Sequence, residues 1–456
     1  MPNDMASRVV HSTPQNAPRR SEVLYVFGVP QLGTASQQSP PPSEWNWARS
    51  HRFSSTKVER PSTLAELQLV VTAAAAAGMT VRCVGSRHSF TNIADGDVLL
   101  DLGSMPEHFA PSSGHTTATV SASMIYSRLA ELLAPIDMAV ANLASLPHIT
   151  IAGAIATATH GSGDHNGNLA TSISAVEFVT AQGDLRRLQR GDTEFAVAPI
   201  SLGALGVIVK VEVDLVPAFG LRQLVHNSLG WGTLRAHFDT LFSSAYSVSV
   251  FTNWVDHVQL WTKERIGDDP VDHAAIHDGV LATEQHHPIP GVAADACTWQ
   301  GHEPGRWDTR LPHFRAGAVP SVGAEVQSEF FVDRRHAADA IAALQTIGPL
   351  MRPHLMAGEI RTVQADDLWL SPQYERHCVG FHFTWEHDME AARAMAQLVA
   401  SALAPFDPLP HWGKVFDPAQ FDFASLYPRL GDAQQAFAEI DPNGVFRNSW
   451  IETTFA

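Results

Sequence analysis

The feature that most constrains this chain is a run of small residues at positions 152–163, which reads Ala-Gly-Ala-Ile-Ala-Thr-Ala-Thr-His-Gly-Ser-Gly. Side chains this small allow the backbone to approach a bulky ligand closely. The Gly-Ser-Gly end can direct backbone N–H groups at a phosphate. A second turn of this kind, Gly85-Ser-Arg-His-Ser-Phe90, directly follows a segment with the pattern of a buried strand. Two such loops suit a dinucleotide cofactor better than a mononucleotide.

The common nucleotide and hydrolase motifs are absent from the sequence. No Gly-x-Gly-x-x-Gly pattern occurs, which argues against a Rossmann fold, and no Walker loop occurs. The segment His160-Gly-Ser-Gly163 resembles a hydrolase oxyanion loop, but no Gly-x-Ser-x-Gly nucleophile elbow accompanies it. An esterase is therefore excluded.

Composition limits the partners of the chain. Thirty Lys and Arg residues against 47 Asp and Glu residues give a formal net charge of −17, unlike proteins that bind nucleic acids or anionic membranes. The most apolar stretch, residues 69–79, is too short to span a bilayer. The three cysteines (Cys83, Cys297 and Cys378) lie far apart without a Cys-x-x-Cys pair. We therefore expect no nucleic-acid or membrane partner, no metal site, and a reducing compartment such as the cytoplasm.

Residues 1–44 predict a disordered N-terminal extension, because they are rich in Pro, Ser and Gln and lack periodicity. Arg19-Arg20 precede a short apolar patch, which faintly resembles a twin-arginine leader. The patch is interrupted and the full consensus is missing. A cytoplasmic protein is the favoured interpretation, and export is the less favoured alternative.

From Trp45 onward, apolar runs of strand length alternate with helical segments, which predicts an α+β protein. We expect a first domain over residues 45–217 and a second over residues 218–456. A helix should begin at Ser62 or Thr63 and run to Gly78. The segment at 265–310, rich in His, Pro and Asp, is interpreted as a loop tract. Further strands are expected near 80–85, 98–102, 117–120, 176–180, 185–188, 207–213, 246–251, 258–261 and 327–331, and further helices near 124–133, 337–347 and 389–402.

Several short motifs occur together and in a fixed order along the chain. They are Gly85-Ser-Arg-His-Ser-Phe90, Ala144-Ser-Leu-Pro-His-Ile149, Thr159-His-Gly-Ser-Gly163, Ser201-Leu-Gly-Ala-Leu-Gly206, Glu359-Ile-Arg361, His382-Phe-Thr384 and His411-Trp-Gly-Lys414. In this set the chain resembles the alditol oxidases, sugar-1,4-lactone-oxidase-like FAD-linked oxidases of the vanillyl-alcohol-oxidase superfamily. The resemblance implies a two-domain flavoprotein, in which an FAD-binding domain is followed by a substrate-binding cap domain whose last segment returns to the flavin.

The resemblance also assigns residues to the cofactor. His88 stands where the family attaches the flavin 8α-methyl covalently to a histidine, so FAD is expected to be linked there. The positions implied for FAD binding are Val84, Gly85, Ser86, Arg87, His88, Ser89, Ser145, Thr150, Gly153, Thr157, Ala158, Thr159, His160, Ile208 and His411. Family members commonly have Gly where this chain has Arg87. If that position needs a positive φ, arginine pays a steric cost that glycine does not.

A second implied set would bind the substrate: Ser145, Glu359, Arg361, His382, Thr384 and Lys414. Glu359 and Arg361 alternate along one expected strand, as His382 and Thr384 do along another, so each pair should share a face. The resemblance implies that Arg361, Lys414 and Glu359 are catalytic. A polyol offers only hydroxyls, and a pocket of hydrogen-bond donors and acceptors is what it requires.

The implied activity is FAD-dependent oxidation of a primary hydroxyl of an alditol, such as xylitol or sorbitol, to the aldehyde, with O2 reduced to H2O2. The expected partners are thus a small polyol and O2, and the oligomeric state is left open, a monomer included. One alternative is a sugar-1,4-lactone oxidase or dehydrogenase on the same fold. The other is a non-catalytic polyol-binding protein that keeps the flavin fold.

Overall fold

The structure, a computed structural model, describes residues 45–55, 57–269, 271, 278–318 and 325–455. The expected N-terminal extension, residues 1–44, lies outside them. The strands of the described part are β1 (Val58–Glu59), β2 (Val81–Val84), β3 (Val98–Asp101), β4 (Phe109–Pro111), β5 (Thr117–Ser121), β6 (Met138–Ala139), β7 (Ile173–Val179), β8 (Leu185–Gln189), β9 (Val207–Asp214), β10 (Val216–Pro217), β11 (Gly220–Asn227), β12 (Ser247–Thr252), β13 (Val258–Arg265), β14 (Val280–Leu281), β15 (Gly301–Arg306), β16 (Glu325–Asp333), β17 (Leu355–Val363), β18 (Cys378–Glu386) and β19 (Leu409–Pro410). The helices there are α1 (Leu64–Ala76), α2 (Tyr126–Leu133), α3 (Ile151–Ala156), α4 (Trp231–Ala236), α5 (Phe238–Phe242), α6 (Ala337–Met351), α7 (Met389–Leu403), α8 (Phe423–Leu426), α9 (Leu430–Ile440) and α10 (Ser449–Thr454).

The described strands form separate sheets. A three-stranded parallel sheet has the order β1-β3-β2, and a five-stranded antiparallel sheet has the order β4-β5-β9-β7-β8. A nine-stranded antiparallel sheet follows, in the order β14-β11-β13-β12-β17-β18-β16-β19 with β15 beside β11. Strands β6 and β10 form a short pair. This mixture of helices and separate sheets confirms the predicted α+β class.

The strand period decides which residues of the nine-stranded sheet face its core. On β16, β17 and β18, Phe330, Ile360 and Phe381 are fully buried in one apolar cluster with α6 and α7. Their chain neighbours Glu329, Glu359 and His382 point to the opposite face, because successive strand residues alternate. The two helices therefore cover one face of this sheet and leave a row of polar side chains on the other.

Helix α1 begins as predicted. The Thr63 side chain accepts a hydrogen bond from the Glu66 backbone N–H, and the Glu66 carboxylate accepts one from the Ser62 N–H at 2.7 Å. This reciprocal capping satisfies N–H groups that have no partner within the helix. The helix ends at Ala76 rather than Gly78, which follows with a φ of +67°.

Two expectations about loops are wrong. The run of small residues at 152–163, interpreted as a loop, contains most of α3, because alanine favours helix even in a short segment. The tract at 265–310 contains β15, which pairs with β11. The other predicted helices and strands are present, and their ends differ by a few residues.

The chain changes sheets between β10 and β11, where the sequence analysis places its domain boundary. The boundary itself stays a prediction. The C-terminal segment contacts the first half of the chain again: the Val81 N–H donates to the Val445 carbonyl at 2.7 Å, and Arg82 donates to the Phe446 carbonyl at 2.6 Å. Among the described helices, none has both the length and the apolarity that a membrane span needs.

Candidate active site

One cavity of about 450 Å³ contains nearly all predicted site residues. Its small-residue wall comes from the segments 84–90 and 150–160, of which Ile151, Ile155 and Ala158 do not line the cavity. Its charged wall comes from β16, β17, β18 and the segment after β19. Of the predicted positions the structure brings to the cavity Val84, Gly85, Ser86, Arg87, His88, Ser89, Ser145, Thr150, Gly153, Thr157, Thr159, His160, Ile208, Glu359, Arg361, His382, Thr384, His411 and Lys414. Ala158 does not line it, since its side chain is fully buried.

The turn after β2 is held tightly against the start of α3. The Ser86 hydroxyl donates to the His148 carbonyl at 3.0 Å and accepts from the Thr150 N–H at 2.9 Å. A Cβ added to Gly85 would lie 2.1 Å from the Thr150 hydroxyl oxygen, so only glycine fits there. The two small-residue segments, separated in sequence, thus form one surface.

Arg87 has a φ of +59°, in the left-handed region that favours glycine. Its backbone carbonyl accepts a hydrogen bond from the Trp47 N–H at 2.8 Å, which fixes this conformation. Its guanidinium lies 3.9 Å from the Asp101 carboxylate. The steric cost expected from the sequence is therefore present.

His88 lies between two aromatic neighbours. Trp47 stacks on its ring with centroids 4.5 Å apart, and His148 Nε2 lies 2.9 Å from His88 Nε2. Burial, and then the neighbouring His148, holds the pKa of His88 well below its usual range, and burial lowers the pKa of His148. Two neutral rings share one proton in such a contact, which leaves His88 Nδ1 outside it. Sequence reasoning identified neither His148 nor Trp47.

The expected alternation on the charged wall is confirmed. Glu359 and Arg361 share one face of β17, and His382 and Thr384 share one face of β18. The register pairs Glu359 with His382 across the two strands. All four side chains lie within the cavity lining and are buried.

Glu329 on β16 lies at the centre of the charged wall, and sequence reasoning missed it. One carboxylate oxygen is 2.9 Å from Arg361 Nη2, and the other is 2.5 Å from Lys414 Nζ. Burial would raise the pKa of Glu329, but Arg361 and Lys414 together outweigh burial and hold that pKa well below its usual range. A signal did exist: Glu325, Gln327 and Glu329 alternate along a strand that is otherwise mostly apolar.

Lys414 connects two of the predicted positions. Its ammonium lies 2.7 Å from His382 Nδ1, and His382 Nε2 lies 3.2 Å from the Thr384 hydroxyl. An ammonium group only donates, so His382 Nδ1 accepts and its Nε2–H points at Thr384. Burial lowers the pKa of His382 to about 4, which keeps this ring neutral.

His313, which the sequence analysis also did not identify, contacts Glu359 in the charged wall. Its Nε2 lies 2.9 Å from a Glu359 carboxylate oxygen. Burial would raise the pKa of Glu359, but Arg361 and His313 outweigh it and lower that pKa. His313 comes from the loop after β15, where no sequence pattern indicated a functional residue.

The comparisons with known proteins agree with this geometry. Residues 56–189 match the family model of an FAD binding domain, and residues 324–454 match that of D-arabinono-1,4-lactone oxidase. The alditol oxidase of Streptomyces sp. (strain IKD472 / FERM P-14339) is 41% identical over 411 residues, which cover 89% of this chain and 97% of the relative. This chain belongs to the alditol oxidase family. The L-gulonolactone oxidase of Mus musculus matches this alditol oxidase family member at 24% identity, over 90% of this chain and 97% of the relative.

Solved structures confirm the predicted fold of this alditol oxidase family member. Cholesterol oxidase from B. sterolicum superposes with a TM-score of 0.71 at 14% identity, over 90% of this chain and 96% of that chain. That likeness shows a flavoprotein fold of the vanillyl-alcohol-oxidase type, with an FAD-binding domain and a second domain. The chain is thus an FAD-dependent oxidoreductase.

The small-residue wall fits the FAD expected in an alditol oxidase family member. Cys83, in the middle of β2, is exposed at the cavity rather than covered by another element. Gly85 and Gly153 both lie against Thr150, where an added Cβ would come within 2.8 Å or less of its hydroxyl oxygen. A wall of backbone and small side chains next to a charged wall suits a flavin ring that receives electrons from a polar substrate.

Three groups on the inner side of the cavity lie close enough to share a metal ion. His160, Glu329 and His411 each place one ligand atom within 4.8 Å of the others. The Glu329 oxygens are already bonded to Arg361 and Lys414, and these cations would repel a divalent ion. The expectation of no metal site stays a prediction.

Proposed function

We propose that this protein oxidises a primary hydroxyl of an extended alditol, such as xylitol or sorbitol, to the aldehyde, with O2 as the electron acceptor and H2O2 as product. The observation that carries the proposal is the charged wall, which faces the small-residue wall across one cavity. It offers Glu359 as an acceptor and Arg361 as a donor, both buried, and Lys414 as a second donor that is partly exposed. Polyol hydroxyls need partners of both kinds.

The residues of the small-residue wall would hold FAD, with His160, Ile208 and His411 completing its surroundings. When bound, FAD accepts a hydride from the alcohol carbon and passes the electrons to O2. On the protein side, Arg361 and Lys414 would donate hydrogen bonds to the reacting oxygen and favour loss of its proton. Glu359, Ser145, His382 and Thr384 would bind the remaining hydroxyls and orient the chain.

Covalent attachment of FAD through His88 is part of the proposal. The contact with His148 occupies His88 Nε2, which makes Nδ1 the nitrogen available for a bond to the flavin 8α carbon. Acid precipitation should leave the yellow colour in the protein pellet, whereas His88→Ala should release it to the supernatant. His51→Ala, which changes another half-buried histidine, is the control and should keep the colour in the pellet. Flavin released by acid from the unaltered protein would overturn the attachment without touching the proposed reaction.

The substrate class is tested by oxygen consumption across glycerol, erythritol, xylitol and sorbitol. Each hydroxyl missing from a substrate leaves a buried protein group unsatisfied, at about 1–3 kcal/mol. Catalytic efficiency should therefore rise with chain length, by about 5- to 150-fold for each hydroxyl bond regained. Equal efficiency with glycerol and xylitol would contradict this assignment of the charged wall.

A second candidate is oxidation of a sugar-1,4-lactone, favoured by the match of residues 324–454 to the D-arabinono-1,4-lactone oxidase model. The alditol is preferred because the alditol oxidase relative is 41% identical to this chain, whereas the L-gulonolactone oxidase of Mus musculus is 24% identical. Galactonolactone in the same assay distinguishes the two candidate functions. A clear preference for galactonolactone over xylitol would support lactone oxidation. A polyol-binding protein without catalysis would bind xylitol and leave the flavin oxidised. Cytoplasmic location and the oligomeric state stay predictions.

A further inference from the structure

The Glu329 carboxylate lies close to four cationic or imidazole groups of the site, more than any residue that the sequence assigned to it. Its carboxylate lies 2.9 Å from Arg361 Nη2, 3.2 Å from His160 Nε2, 2.5 Å from Lys414 Nζ and 3.5 Å from His382 Nδ1. The side chain has no exposed surface. A carboxylate removed from water to this extent persists only where cations and donors compensate its charge.

Glu329 in turn stabilises the positive charge of Lys414. Burial lowers the pKa of Lys414, and the Glu329 carboxylate is the strongest influence that raises it again. The charged and titratable groups that face Lys414 are Glu329 on β16, Arg361 and Glu359 on β17, His382 on β18, His160 after α3, and His411 in its own turn. Of these, Arg361 opposes a charge on Lys414, and the Glu329 carboxylate is nearest to its ammonium.

The hydrogen bonds of Lys414 indicate where its remaining N–H group points. An ammonium has three N–H donors. One reaches the Glu329 carboxylate and a second reaches His382 Nδ1. The third remains for the cavity, whose lining includes Lys414. A neutral amine would have one N–H fewer and could not serve all three acceptors.

We propose that Glu329 is a positioning residue that keeps Lys414 protonated and aims one of its N–H groups at the reacting hydroxyl oxygen. Lys414 then acts as a cationic hydrogen-bond donor and not as the base that removes the hydroxyl proton. Glu329 exerts this effect through Lys414 and Arg361 and needs no contact with the substrate. This inference rests on the proposed function, because it assigns the electrostatics of the same site.

The test is the pH profile of flavin reduction, measured anaerobically with xylitol in the holoenzyme. The rate should fall at high pH as Lys414 loses its proton. In Glu329→Gln, the midpoint of that fall should move at least one pH unit lower, and Glu329→Asp should restore part of the shift. Glu212→Gln is the matched control, since Glu212 pairs with Arg187 at 2.8 Å outside the cavity. Its midpoint should equal that of the unaltered protein.

A purely structural role for Glu329 would lower flavin content or thermal stability and leave the midpoint in place, which would overturn the proposal. If the rate instead rises with pH, and Glu329→Gln moves the midpoint of that rise to lower pH, then Lys414 acts as the base. That result would also overturn the proposal. Lys414→Arg provides a measurement that does not depend on folding of the Glu329 variants. Arginine stays charged, so the alkaline fall should disappear.

The proposed function can fail separately from this inference. If xylitol does not reduce the flavin of the unaltered protein and a lactone does, the alditol assignment is wrong. The pH profiles of the variants are then measured with the lactone, and they decide the role of Glu329 by the same shift.

Discussion

The small-residue wall and the charged wall of the cavity are built by opposite means. The first combines two segments, 84–90 and 150–160, in which glycine and short side chains bring the backbone close to Thr150. The second combines β16, β17, β18 and the turn at Lys414, which meet through the pairing of the sheet. Small residues therefore form one wall, and ionisable side chains on paired strands form the other.

The two walls also differ in electrostatics. At the centre of the charged wall the carboxylates of Glu329 and Glu359 lie beside the cations of Arg361 and Lys414, while burial lowers the pKa of His313 and of His382 to about 4 each. The small-residue wall has mainly backbone and neutral side chains to offer. Changes to the charged wall should thus alter rate, and changes to the small-residue wall should alter cofactor retention or stability.

The largest effect is expected in Arg361→Ala and Lys414→Met. Loss of a donor that acts in the transition state lowers a rate by on the order of 10²- to 10³-fold. Stopped-flow reduction of the flavin by xylitol should show this loss while the flavin content per chain stays unchanged. Lys210→Met removes an ion-paired lysine from the five-stranded sheet and should leave the rate unaltered. If a lower flavin content accounts for the whole decrease in rate, then the charged wall acts on cofactor retention as well, and the proposed difference between the walls is wrong.

An intermediate effect, on stability, is expected at Asp366, which connects the loop after β17 to the loop that contains Asn168. Asp366 Oδ2, in the loop after β17, accepts hydrogen bonds from Asn168 at 2.7 Å and Ser371 at 2.6 Å. Burial raises the pKa of Asp366 to about 6. A raised native pKa means that the stabilisation is complete below the unfolded value near 4 and is lost as pH rises through 6.

Asp366→Asn removes that titration. Relative to the unaltered protein, its free energy of unfolding should therefore rise by about 2 kcal/mol between pH 4 and pH 7. Urea unfolding at both pH values measures the change. A difference between the two proteins that is independent of pH would contradict the titration of Asp366.

The smallest effect concerns the backbone of the small-residue wall. Arg87→Ala and Arg87→Gly both remove the guanidinium, but only glycine also relieves the φ of +59°. The glycine variant should be the more stable of the two by about 1 kcal/mol, because a Cβ in the left-handed region costs about 1–2 kcal/mol and glycine loses part of this gain through its flexible unfolded state. Thermal unfolding of the two variants measures the difference. Equal stability would show that position 87 is not strained.

Sequence patterns that are local predicted much of this molecule. The Ser62, Thr63 and Glu66 pattern located the start of α1, and the alternation of Glu359 with Arg361 placed both on one face. The sequence did not predict α3, because a run of alanine, glycine and threonine has the composition of a loop as well as of a short helix.

Glu329, His313 and His148 were not predicted for the same reason. Glu329 meets Lys414, His313 meets Glu359, and His148 meets His88 across separations of 85, 46 and 60 residues. These contacts join loops, a turn and strands that lie far apart in the chain, and a local pattern does not predict which distant segments meet. The sequence analysis assigned Lys414, Glu359 and His88 to the site, and the fold revealed their partners.

We propose that an alditol bound at the charged wall gives a hydride directly to FAD held by the small-residue wall, and anaerobic mixing of the holoenzyme with xylitol tests this transfer. The visible absorbance of the oxidised flavin should bleach in a single turnover and return on admission of O2 with formation of H2O2. A flavin that stays oxidised in the presence of xylitol, sorbitol and the shorter alditols would contradict it.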